Sequence, residues 1–254
     1  LERDLDAELF DRTRRPPSLT PLGRRVADQA RDVLKAQARL VEICRGEDAL
    51  AGDFAIGFVL TASVRLLPRF LKTARASFPE ASFQVATGLS QNLIADVASG
   101  RLDAAVVTGG GPIPAAVSAH TLIEEPMVYC VPTAAQRWPI ARCFSELSFI
   151  HFMPDAGIGR LIAEYLARSG LQPSRTIVLD SVEAVLECTA AGVGFSILPE
   201  PDVTRLAGDH LKRRSLGGER LVRELALVTG RDTTAGRQAA AIANAVVGRP
   251  PPQR

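Results

Sequence analysis

From Phe54 onward the chain alternates between short apolar runs and amphipathic windows. The runs Phe54–Leu60, Ser82–Gly88, Ala104–Thr108, Met127–Val131, Ser148–Met153, Thr176–Leu179, Gly194–Leu198 and Leu225–Val228 read as strands. Between them, helical spacing appears near Val64–Ser77, Asn92–Ser99, Ile158–Arg168, Ser181–Ala191 and Ala235–Val247. Continuous apolar strands alternating with helices predict an α/β fold with parallel sheets covered on both faces. The chain before Phe54 is built differently. Leu9–Thr13 and Ser18–Thr20 are two strand-like pieces around an Arg14-Arg15-Pro16-Pro17 turn, where proline fixes φ and withdraws amide donors. Thr20 then offers a side-chain oxygen to a helix that opens on Pro21. From Pro21 to about Arg45 there is no glycine after Gly23 and no further proline. Val26, Ala30, Val33, Gln37, Leu40 and Cys44 recur at spacings of four and three, an a/d seam. A helix of about 35 Å with so thin an apolar stripe predicts a partner helix, and these six residues are its dimerisation seam. The alternative is an amphipathic helix lying on its own domain.

The 254 residues, 46% apolar, suffice for a sizeable core in one or two domains. A net charge of +2 excludes a generally cationic, nucleic-acid-coating protein. Positive charge is local instead: Arg12, Arg14, Arg15, Arg24 and Arg25 fall in one stretch without an acidic residue. On composition alone that stretch reads equally as a solvated basic hairpin or a phosphate-contacting one. No apolar run approaches the ~18 residues of a membrane span, and no secretory signal pattern opens the chain. Cys44, Cys130, Cys143 and Cys188 are scattered without a C-x-x-C pair, which argues against zinc or disulfides and fits a reducing cytoplasm. The three histidines, His120, His151 and His210, share no ligand spacing. Gly194-Phe195-Ser196-Ile197-Leu198 lacks the closing glycine of a nucleophile elbow, and Gly157/Gly159 and Gly192/Gly194 lack the rest of a dinucleotide fingerprint. Gly109-Gly110-Gly111 runs into Pro112 without the Lys-Ser/Thr of a phosphate loop. These patterns predict neither an enzyme nor a metal or organic cofactor.

The stretch from Glu8 to Gly23 resembles the wing and linker-helix start of LysR-type transcriptional regulators. Leu9, Phe10 and Arg12 match its Leu-Phe-x-Arg phrase, and Leu19, Thr20 and Gly23 match Leu-Thr-x-x-Gly. Leu1-Glu2-Arg3-Asp4-Leu5 resembles the tail of the family's DNA-recognition helix. Further markers follow in the family's order: Leu66-Leu67-Pro68-Arg69-Phe70, Phe78-Pro79-Glu80, Ala98-Ser99-Gly100-Arg101-Leu102-Asp103-Ala104, Glu125-Pro126, and Ala190-Ala191-Gly192-Val193-Gly194 with Leu198-Pro199. The resemblance implies a two-subdomain, periplasmic-binding-protein-like effector domain preceded by a winged-helix remnant and a long linker helix. Its divisions would be 1–20 for the remnant, 21–46 for the linker helix and 53–254 for the effector domain. Within the last, subdomain I takes 53–129 plus 228–254 and subdomain II takes 130–227, with crossovers near Tyr129–Val131 and Ala226–Val228. The implied function is effector-sensing transcriptional regulation in a bacterial cytoplasm, by a homodimer or homotetramer without membrane contact. The family's wing places Arg12, Arg14 and Arg15 on promoter DNA in the intact protein. Most of the helix-turn-helix precedes the chain's first residue, so specific DNA binding is not expected of this fragment. The alternatives are a stand-alone small-molecule binding module or a truncated dominant-negative partner. A peroxide-sensing branch of the family carries a reactive cysteine pair in the stretch matching Asp155–Arg168, which here holds none.

In parallel α/β sheets ligands sit beyond the carboxyl ends of strands, where helices present free amides. Thr61-Ala62-Ser63 follows the first strand, Ser90-Gln91 the second and Thr108 the third. His151, Phe152, Met153, Ser181, Gly194 and Phe195 lie at comparable edges of the second subdomain. Each hydroxyl taken alone reads first as a helix cap; their co-occurrence at the family's pocket positions reverses that and makes Thr61, Ser63 and Ser90 expected effector contacts. His151 stays open between pocket residue and satisfied interior histidine. The expected effector is a non-covalent small molecule, an anionic carboxylate, with Phe152 and Phe195 as an aromatic opposite wall.

Overall fold

The computed structural model describes residues 1–13, 15–27, 29, 30, 33, 34, 37, 52–206, 208, 210–217, 220–231, 243 and 247. They fall into two compact units, residues 1–53 with 78–82, and residues 54–77 with 83–254. In the first, β1 (Phe10–Asp11) and β2 (Ser18–Leu19) pair antiparallel as a short hairpin. The Glu2 carboxylate accepts from the amides of Leu9 (2.7 Å) and Phe10 (3.1 Å) and from Arg12 Nη2 (2.8 Å). These bonds hold its carboxyl below the ordinary range. Thr20 caps the next helix: the Gly23 amide donates to its Oγ1 at 2.9 Å, and residues 21–27 are helical. A Cβ on Gly23 would lie 2.0 Å from the Leu9 carbonyl oxygen, so only glycine fits this approach. The described seam residues Val26, Ala30, Val33 and Gln37 are helical, and Val33 is 62% exposed. Arg14, Leu40 and Cys44 lie outside the described residues.

The second unit contains the alternating pattern. Its strands are β3 (Gly52–Val59), β4 (Ala81–Gly88), β5 (Ala104–Thr108), β6 (Val117–Pro132), β7 (Ser148–Phe152), β8 (Thr176–Leu179), β9 (Gly194–Pro199), β10 (Leu211–Ser215) and β11 (Val222–Gly230). Its helices are α1 (Leu60–Ser77), α2 (Ser90–Ala98), α3 (Ile140–Glu146), α4 (Gly157–Arg168), α5 (Val182–Ala190) and α6 (Glu200–Leu206). The strand order is β4-β3-β5-β11-β6-β9-β7-β8, with β10 also on β6. Pairing is parallel for β3/β5, β7/β8 and β7/β9. The two long strands that pass between the halves depart from the parallel pattern: β11 runs antiparallel to β5 and β6, and β6 antiparallel to β9 and β10.

The 16-residue β6 serves both halves. Its residues up to Pro126 pair with β11, and from Met127 they pair with β9 and β10. The chain therefore changes sheets at Pro126–Met127, ahead of the expected Tyr129–Val131. The return is near Leu221–Val222 and not at Ala226–Val228, because Leu225–Thr229 already pair with β5 in the first subdomain. Strand β10 carries Lys212, Arg213 and Arg214 and has no apolar alternation to announce it; its pairing with β6 makes it a strand. α3 and α6, seven residues each, are too short for a periodic signal.

Each half has its own aromatic core. In the first, Phe58 meets Phe70 edge-on at 5.7 Å, and Phe70 meets Phe83 at 5.5 Å. In the second, Phe195 lies edge-on to Phe144 at 4.8 Å and to Phe149 at 5.4 Å. Of the expected C-terminal helix only two residues are described. Ala243 is helical and buried, and with Val247 it borders a small void lined by Phe58, Leu66 and Leu227.

Candidate functional site

The carboxyl ends of β3, β4 and β5 converge on a cavity of about 190 Å³. Its first-subdomain wall is Val59, Leu60, Thr61, Thr87, Gly88, Leu89, Ser90 and Thr108; the facing wall is Met153, Ala156, Gly157 and Ile158. A wider cavity of about 600 Å³ shares Ser90, Thr108 and Gly157 and extends past Gln91, the Gly109–Gly111 loop, Arg160 and Glu164. Thr61, Ser90, Gln91 and Thr108 thus lie together in one cleft. Gly157 is the point of closest approach: a Cβ there would stand 3.2 Å from Thr108 Cβ and 3.5 Å from Ser90 Oγ.

The polar geometry of this cleft is one-sided. The Thr108 amide donates to Ser90 Oγ at 3.1 Å, and Arg223 Nη1 donates to Thr61 Oγ1 at 2.7 Å. A hydroxyl that accepts from the protein still has a proton to give. Neither hydroxyl proton has an acceptor of its own among the described residues. The first residues of α2 and α4 also line the cleft, and helix N-termini bring unpaired amides and partial positive charge. The cleft therefore offers hydrogen-bond donors against apolar walls.

Several expected contacts lie elsewhere. α1 begins at Leu60, not Val64, so Thr61–Ser63 are its first turn. Ser63 Oγ donates back to the Leu60 carbonyl at 2.7 Å and does not line the cavity, and Ala62 is fully buried. Phe152 and Phe195 are buried in the second core, so the opposite wall is aliphatic and thioether instead of aromatic. Ser181 caps α5, accepting from the Ala184 amide at 3.2 Å. Gly194 is required by packing, since a Cβ would meet the Ser148 carbonyl oxygen at 2.3 Å. His151 Nε2 bonds the Gly159 carbonyl at 3.1 Å; a carbonyl only accepts, so the ring carries its proton on Nε2 and is a satisfied interior histidine. Met153, expected at this edge, lines the cavity; the rest of the wall, Ala156 to Ile158, was missed by sequence reading and had one signal in the chain, the Gly157/Gly159 pair. Met153 takes a positive φ of 42° where β7 turns into this wall.

Sequence reading also missed a buried ionic cluster behind Thr61. Arg223 and Glu125 are direct cross-strand partners on β11 and β6, with Arg223 Nε donating to Glu125 Oε2 at 2.8 Å. Arg65 on α1 bonds the other Glu125 oxygen and, through Nε at 2.7 Å, Asp202 Oδ1 on α6. Asp202 Oδ2 faces Arg223 Nη2 at 3.6 Å. Glu125, Asp202 and Arg223 are at most 1% exposed. Burial pushes the Asp202 carboxyl up, against the pull of Arg223 and Arg65. Two cations and two anions close the charge balance.

Among the described residues, no group of three His, Cys, Asp or Glu could hold a metal, and no helix is long and apolar enough to cross a membrane. Cys130 and Cys143 are buried, and burial pushes both thiols up.

Residues 47–249 match the family model for the LysR substrate binding domain. The chain is 28% identical over 211 residues to the HTH-type transcriptional regulator CzcR of Bacillus subtilis (strain 168), covering 82% of this chain and 70% of that one. It is 25% identical over 248 residues to a probable RuBisCO transcriptional regulator of Cyanidium caldarium, covering 90% and 76%. A full-length OxyR variant from Pseudomonas aeruginosa is similar with a TM-score of 0.73 at 21% identity, over 96% of this chain and 82% of that one. The BenM effector binding domain with its effector benzoate gives 0.67 at 17%, over 78% and 92%. At these identities the structural likeness is one of fold.

Proposed function

We infer that this chain, which belongs to the LysR family through its substrate-binding domain, senses a small carboxylate in the cleft between its two subdomains. The spare hydroxyl protons of the inner cavity carry this reading: Ser90 and Thr61 both accept from within the protein and have a proton to give. Helix N-termini on both walls favour an anion there. A cavity of about 190 Å³ with an aliphatic far wall suits a compact ligand. The benzoate in the BenM domain makes small aromatic carboxylates the first class to screen.

Closure of the cleft on such an effector would change the oligomer's grip on promoter DNA in the cytoplasm. Arg12 and Arg15 on the hairpin would contact phosphates; the Arg12–Glu2 pair that would have to open is exposed, and such pairs are worth little. The helix from Pro21 would pair two chains, with Gln37 as the polar position that fixes register.

Two results are expected. Calorimetry with a panel of small carboxylates will find one that Ser90→Ala binds more weakly by about 0.5–1.5 kcal/mol, or up to ~3 if the lost bond was to a charge. Equal affinity of a bound carboxylate for both proteins would move the site away from Ser90. Sedimentation will show Val33→Asp, which puts an unpaired charge into the seam, to be less associated than wild type. An unchanged mass would remove the seam as the main contact.

A further inference from the structure

Arg223 does not touch the cleft, yet it bonds one of the cleft's polar groups. Its guanidinium is a rigid planar fork. Glu125 holds two of its edges, through Nε at 2.8 Å and through Nη2, while Asp202 of the second subdomain faces Nη2 from the other side. Glu125 is in turn held by Arg65. With those edges fixed, Nη1 has one direction left, and it points at Thr61 Oγ1, 2.7 Å away. A guanidinium can only donate. The Thr61 oxygen is therefore committed as an acceptor on its buried side, and its proton must turn elsewhere. Thr61 lines the cavity, and that proton has no acceptor among the described residues.

We propose that Arg223 is a specificity-determining positioning residue: by donating to Thr61 Oγ1 it turns the Thr61 hydroxyl proton away from itself and towards the cleft, so that this corner favours hydrogen-bond acceptors. The proposal rests on the cleft being the effector site. It adds that discrimination for acceptors is set from behind the wall, by a cluster drawn from α1, α6 and both connecting strands. A ligand presenting an ammonium to Thr61 can reach only the remaining lone pair of an oxygen already polarised by the Arg223 cation, and binds less well than an acceptor. Ser90 makes the same demand by a separate route, through the Thr108 amide.

Substituting Arg223 itself would leave Glu125 a buried, under-compensated charge, so Thr61 is the position to vary. The test uses the whole chain with isotope-labelled arginine. The Arg223 guanidinium signals are recorded for wild type, Thr61→Ser and Thr61→Val, and each protein is titrated with acetate, succinate, benzoate and benzylamine. The expected result is that Thr61→Val shifts the Arg223 Nη1 signal and Thr61→Ser leaves it near the wild-type position. At least one carboxylate should bind wild type and Thr61→Ser within about twofold and Thr61→Val about tenfold or more weakly. Benzylamine should bind wild type less well than that carboxylate does. An Arg223 signal unmoved by Thr61→Val would overturn the positioning role. So would a carboxylate that binds all three proteins equally, or benzylamine bound as well as a carboxylate. A normal Arg223 response to Thr61→Val, with no carboxylate perturbing any cavity residue, would overturn the effector reading and this proposal with it.

Discussion

Glu125→Ala is expected to destabilise the effector domain by about 3–5 kcal/mol, the cost of removing one partner from a buried charge cluster. The Glu125 carboxylate accepts from Arg223 through Nε and Nη2 and from Arg65 through Nη2. Without it, two guanidiniums share Asp202 alone, whose Oδ2 has no hydrogen-bond partner among the described residues and sits 3.6 Å from Arg223. Arg223 is wholly buried and has no solvent to turn to. Urea unfolding of wild type and Glu125→Ala measures the difference. Glu146→Ala is the control, because Arg142–Glu146 is an exposed i,i+4 pair and should change stability by less than ~0.5 kcal/mol. Comparable midpoints for Glu125→Ala and Glu146→Ala would show the buried cluster to be energetically unimportant.

The second large effect is expected at Gly159. A Cβ there would lie 2.0 Å from the Met153 carbonyl oxygen and 2.6 Å from the Met153 carbonyl carbon and Pro154 Cα. All three are backbone atoms, so relief requires the start of α4 to move away from the end of β7. Alanine should gain up to ~1 kcal/mol in helix propensity, but forcing a methyl into close-packed backbone costs about 1–3 kcal/mol, occasionally more. The clash wins. Because Met153, Ala156, Gly157 and Ile158 form the far wall of the cavity, Gly159→Ala should lower both the unfolding midpoint and carboxylate affinity. Gly111→Ala, with nothing within 4 Å of its Cβ, should leave stability within about 0.5 kcal/mol. If Gly159→Ala is as stable as Gly111→Ala, the tight approach between α4 and β7 does not hold in solution.

Much of the architecture follows from local chemistry alone. Thr20, Pro21 and Gly23 specify a helix start through a cap oxygen, a missing donor and a missing Cβ, and the bond from Gly23 to Thr20 is where those residue types put it. Eight apolar runs set the order of strands, and the ends of three of them already placed Thr61, Ser90 and Thr108 side by side. Which hydroxyls reach the cleft was not a local matter. Successive helical residues are about 100° apart, so Thr61 and Ser63 are some 200° apart once α1 starts at Leu60, and one must turn inward if the other faces the cavity. Strand β7 shows the same dependence: packing of the second core takes Phe152 inward and delivers Met153, at a positive φ, to the wall. The ionic cluster is the furthest from local control. Arg65, Glu125, Asp202 and Arg223 are separated by as many as 158 positions in the chain, and each alone resembles an ordinary surface charge. Only the change of sheets by β6 and β11 at the Pro126–Met127 and Leu221–Val222 junctions brings them together and removes them from water. Local sequence determines which backbone a segment prefers; burial and charge pairing are properties of the contacts between distant segments, and these exist only once the chain has folded.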